Sequence, residues 1–126
     1  MKIVSLIARI LLGIMFTVFG LNGFLQFIPA PPLSGLTGQF SGALFASHYL
    51  YLVAGTQLVC GVLLLVKQYV PLALVALAAV IVNILTFHIT MQPSTIAPGL
   101  VVTVLWFLVA LPLRAHFAPL LTRQSD

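Results

Sequence analysis

The chain has 126 residues, 62% of them hydrophobic and 5% charged, with a net charge of +4 and a mean hydropathy of +1.25. A soluble domain covers itself with about a quarter of charged residues; five basic residues and one acid exclude a water-facing surface over most of this chain. The scattered basic residues make no nucleic-acid patch, and one cysteine, Cys60, excludes an intramolecular disulfide or a C-x-x-C relay.

Runs such as VCGVLLLV and PLALVALAAVIVNIL lack the polar–apolar alternation of barrel strands. In lipid, their backbone groups must then be satisfied within helices. A first span is expected over 3–27. Lys2 and the IPA tripeptide imitate a signal peptide, yet Arg9 falls inside and the apolar run outlasts a typical h-region, so a retained span is expected. The connection 28–48 follows. After PAPP, Leu36, Phe40, Ala43 and Leu44 fall at helical spacing, which predicts a short amphipathic helix on the outer leaflet; a lid over the bundle mouth is the alternative.

The second span is expected over 49–66 and the third over 70–91, with Pro71 in its first turn. The fourth runs over 96–113, with Ser94 or Thr95 as N-cap, Pro98 tolerated near the start and Pro112 bending or ending it. The fold class is therefore all-α and polytopic. One domain, residues 1–126, forms a four-transmembrane-helix bundle with a short amphipathic helix in its first outer loop.

Lys2 and Arg9 lie at the first end, Lys67 between spans two and three, and Arg114 and Arg123 after span four. The connections 28–48 and 92–95 carry no Lys or Arg. The positive-inside rule then places both termini and the Lys67 turn in the cytoplasm.

Intramembrane polarity collects toward the opposite, outer half: Asn22 and Gln26 in span one, Gln57 in span two, Asn83 and His88 in span three, and Thr103 and Trp106 in span four. Buried amides commonly bond across helices. They also line pockets for the polar end of a lipophilic ligand. On the second reading, Asn22, Gln26, Gln57, Asn83, His88 and Trp106 form the candidate binding site. Asn22 and Gln26 share a helical face, whereas Asn83 and His88 point about 140° apart.

No catalytic residue is expected. Asp126 is the only acid, and Ser34, Ser41 and Ser47 have no acid to orient a base. His48, His88 and His116 show no metal-ligand spacing, so no metal site is expected. No cofactor is required by the residues; a quinone or lipid fits the pocket reading. A homo-oligomer stays open, as does a small dimeric transporter, although cation exchange ordinarily needs an intramembrane acid.

The stretches FGLNGFLQFIPAPP, GQFSGALFASHYLY, VCGVLLLVKQYVPLAL and IVNILTFHI give the chain a resemblance to the DoxX family of small bacterial membrane proteins, from Arg9 to about Pro119. The resemblance implies a four-helix bundle in the bacterial plasma membrane. Some relatives are subunits of a thiosulfate:quinone oxidoreductase and others are linked with redox partners, which implies a membrane or redox protein partner here. Similar members often carry an acid at the position of Gln57 and sometimes histidine at that of Gln26; both are amides here. The combined expectation is an accessory or binding subunit, with a purely structural subunit as the alternative.

Overall fold

A computed structural model of the chain describes residues 2–28 and 33–123. The four apolar runs become four long helices, and no strand occurs among the described residues. Helix α1 spans Lys2–Leu25, α2 Gly35–Ala46, α3 Leu50–Val66, α4 Val70–Met91 and α5 Ala97–Ala110. A 3-10 turn at Leu111–Leu113, the short helix α6 at Arg114–Phe117 and a last turn at Ala118–Leu121 extend α5.

The segments Lys2–Leu25, Val70–Met91 and Ala97–Leu121 are each long and apolar enough to cross a bilayer. Helix α3 is shorter, at 17 residues. Its length of about 25 Å sits near the lower limit for a hydrocarbon layer of roughly 30 Å. It is bent by 80° from α2.

Packing follows a ring. Helix α1 lies between α3 and α5, and α4 closes the circuit by touching both. The tightest seam joins α1 to α3. A Cβ added at Gly20 would lie 2.5 Å from the Leu58 backbone nitrogen and 2.7 Å from the Ala54 carbonyl oxygen. One added at Gly61 would lie 2.6 Å from the Thr17 nitrogen and 2.9 Å from the Gly13 carbonyl oxygen. Small residues thus let the two backbones meet, which is how helices associate where lipid supplies no hydrophobic drive.

The core is uneven along the bundle. Leu12, Leu64, Leu74, Leu77 and Val109 are fully buried toward the end that carries the basic residues, and Phe16 and Val102 are fully buried beyond the middle of their helices. Gly20, Ala54 and Gly99 are buried toward the other end. Away from the basic residues, the seam between α3 and α4 is parted.

Two local expectations change. Ser94 and Thr95 belong to a 3-10 turn, Pro93–Thr95, and the residue preceding α5 is Ile96, with no side-chain cap bond. That turn already satisfies its own backbone, with Ile96 N–H donating to the Pro93 carbonyl at 3.3 Å. On α2, the residue buried against the bundle is Thr37, while Leu36 is 63% exposed. The Thr37 hydroxyl donates to the Met91 carbonyl at 3.0 Å, and this bond fixes the rotation of α2. The proline cluster expected to end span one, residues 29–32, lies outside the described residues.

Gly20→Val forces atoms into the α3 backbone, and a stability loss of about 1–3 kcal/mol is expected in reversible detergent unfolding. Gly42→Ala is the control: nothing lies within 4 Å of its added Cβ, so stability should hold or rise slightly.

Candidate functional site

A groove of about 480 Å³ opens between α3 and α4 in the parted half of the bundle. Helix α2 roofs it with Phe40, Ser41 and Leu44. Leu52, Val53 and Thr56 form the α3 wall, and Ala79, Val80, Asn83, Ile84, Phe87 and His88 belong to the α4 wall. Tyr49, at the α2–α3 corner, completes the rim. The 80° bend makes the roof possible, because it lays α2 across the end of α4 while α3 descends. Phe40 and Phe87 pack there with ring centroids 5.4 Å apart, and Phe87 meets the His88 ring edge-on at 5.1 Å.

The polar groups in this groove bond within their own helices. Asn83 Nδ2 donates to the Ala79 carbonyl at 2.8 Å and the Thr56 hydroxyl to the Leu52 carbonyl at 2.9 Å. His88 Nδ1 lies 2.8 Å from the Ile84 carbonyl oxygen. A carbonyl only accepts, so Nδ1 carries the hydrogen in this contact, and Nε2 of the neutral ring is left as an acceptor. Asn83 keeps its Oδ1 acceptor and a second N–H. The walls are otherwise apolar. Such a groove suits a flat or chain-like apolar body with a small polar head.

Asn83 and His88 line the same groove despite the angle between them. The lining positions wrap about half the circumference of α4, with Asn83 inside this stripe and His88 at its edge. Sharing a groove this wide needs no common axis.

The other sequence candidates go elsewhere. Asn22 Oδ1 accepts from the Ile28 N–H at 2.8 Å, which folds the chain back over the end of α1. Gln26 adopts a left-handed backbone, φ 54°, and its N–H donates to the Asn22 carbonyl at 2.8 Å. This single bond closes the helix in the αL manner, and the Gln26 side chain adds a bond to the Gly23 carbonyl at 3.1 Å. The two amides terminate α1. Gln57 is half-buried on α3, in helical register with Ala54 and Gly61 on the side packed against α1. Trp106 Nε1 donates to the Leu74 carbonyl at 2.8 Å, which places the indole in the basic half, with Phe117 6.4 Å away. Trp106 ties α5 to α4 and is remote from the groove.

Sequence reasoning missed Tyr49, Thr56, Phe40 and Phe87 as groove residues. Thr56 was legible as a hydroxyl in the outer part of a span; the two phenylalanines carried no signal beyond apolarity.

The fold and groove define a multi-pass α-helical membrane protein. The DoxX family profile matches residues 4–89, more than half of the sequence, and the chain belongs to the DoxX family. The match begins before Arg9 and ends within α4, so α5 lies beyond it. Comparison with curated proteins and with solved structures returned no match.

Thr37→Val removes the bond that holds α2 on α4 and leaves the Met91 carbonyl to find another donor. Hydrogen exchange of the α2 amides should accelerate, by the equivalent of about 0.5–1.5 kcal/mol, while α1 and α3 amides stay protected.

Proposed function

We propose that the chain is an accessory membrane subunit whose α3–α4 groove holds the head of a quinone- or lipid-like amphiphile, in support of a partner that performs the chemistry. The observation that carries this reading is the parted half of the bundle, with Asn83 and His88 on apolar walls beneath the α2 roof. Intramembrane polar side chains that merely hold helices together bond to neighbouring helices. Here the bonds of Asn83, Thr56 and His88 run along their own helices, and their remaining capacity suits a ligand hydroxyl or carbonyl. The partner is inferred from the sequence, whose only acid is Asp126.

The basic residues gather at one end, so the positive-inside rule puts both termini in the cytoplasm of a bacterial cell and the groove on the far side of its plasma membrane. A purely structural role is the competing reading for Asn22, Gln26 and Trp106, whose bonds serve a helix end and a helix seam.

Native mass spectrometry of protein extracted from its own membrane tests the proposal. A co-purifying amphiphile is expected, and Asn83→Leu or His88→Leu should each lower its retention about three- to tenfold, the loss of one hydrogen bond in a dry site. Unchanged retention in both variants would overturn the reading.

A further inference from the structure

A second groove, about 700 Å³, lies at the opposite end of the bundle. Lys2, Arg9, Lys67 and His116 all line it, although they are far apart in sequence. Its remaining walls are largely apolar, with Leu6, Val109 and Leu113 among them. We propose that this groove binds the phosphate head of an anionic phospholipid from the adjoining leaflet, with the acyl chains lying along its apolar wall.

Charge complementarity points to that occupant. The sequence contains a single acidic side chain, Asp126, which lies outside the described residues. No carboxylate side chain therefore faces these cations among the described residues, and an intramembrane cation without a counter-charge is costly. Arg9 sits well inside α1, seven residues from Lys2, so roughly 10 Å further along the helix. Its Nη1 donates to the Leu64 carbonyl in the last turn of α3. That carbonyl belongs to the negative end of a helix dipole. The contact holds the guanidinium in place and leaves most of its donor fork free, in a geometry suited to phosphate oxygens.

The turn beside it is built around the same groove. Lys67 N–H donates to the Leu64 carbonyl at 3.3 Å and Gln68 N–H to the Leu63 carbonyl at 3.0 Å, the paired bonds of a Schellman helix end. Its left-handed position ordinarily takes glycine. Here it holds Lys67, φ 57°, and Tyr69 two residues later is also left-handed, φ 51°. Both line the groove. Basic pockets between transmembrane helices are a recurrent site for anionic lipid heads.

The test uses the full chain in nanodiscs of phosphatidylcholine mixed with phosphatidylglycerol, with bound lipid read by native mass spectrometry. Wild type should retain phosphatidylglycerol preferentially. Arg9→Gln, which removes the charge and keeps a donor, and Lys67→Gly, which suits the left-handed backbone, should each reduce the preference about fivefold, and the pair about 25-fold. Arg114→Gln is the control, because Arg114 is outside the groove lining and bonds the Leu111 carbonyl at 2.9 Å. It should leave the preference within about twofold, as expected for a diffuse surface charge. An equal loss in Arg114→Gln would reduce the effect to general surface attraction and overturn the site. So would an absence of preference in wild type, or displacement of the lipid by inorganic phosphate alone.

Discussion

Helices in a bilayer gain nothing by hiding apolar surface from one another, so they must meet through shape. In this chain the meeting is concentrated where α1 and α3 bring Gly20 against Ala54 and Leu58, and Gly13 against Gly61. The rest of the bundle is arranged around that pair. Helices α4 and α5 approach it with Leu74, Leu77, Val102 and Val109, bulky side chains that hold backbones farther apart. Leu74, Leu77 and Val109 lie toward the basic end, where a groove of about 700 Å³ still opens beside them. In the other half those fillers give way to Ala79, Asn83 and Phe87 on α4, and the seam opens beneath α2.

The same asymmetry decides how polar groups behave. At the basic end, Trp106 and Arg9 reach across to carbonyls of neighbouring helices. At the open end, Asn83, Thr86, His88 and Thr90 find the nearest acceptor one turn back on α4 itself. For Asn83 and His88, which line the groove, the intrahelical bond occupies only part of each group's capacity.

Much of the architecture was legible in the apolar runs. The limits of α4 coincide with the expected 70–91, since Pro71 suits a first turn and Gln92 with Pro93 interrupts the far end. The rotation of α2 was only partly legible: Phe40 and Leu44 turn to the groove, but Leu36 faces out and Thr37, held by its hydroxyl bond to the Met91 carbonyl, is the residue buried. The direction of Trp106 was not legible, because its depth in the span says nothing about the side to which a long side chain leans. Asn22 and Gln26 were visible as a pair on one face, but their use depends on the backbone turning left-handed at Gln26. The alternation of basic and uncharged connections was plain. The convergence of residues 2, 9, 67 and 116 on one groove required the ring of helices.

The α1–α3 seam also bears on how the protein is made. These helices are not consecutive, and the small-residue face of α1 finds its complement only when residues 54–61 have been synthesised. Until then α1 resides in the bilayer as a lone helix, its glycines covered by lipid. The hairpin of α3 and α4, joined by the short turn at residues 67–69, follows only once α4 emerges. The first membrane span thus depends on the second for its tightest contact, and any delay between them lengthens the interval in which α1 is open to pairing with another nascent chain.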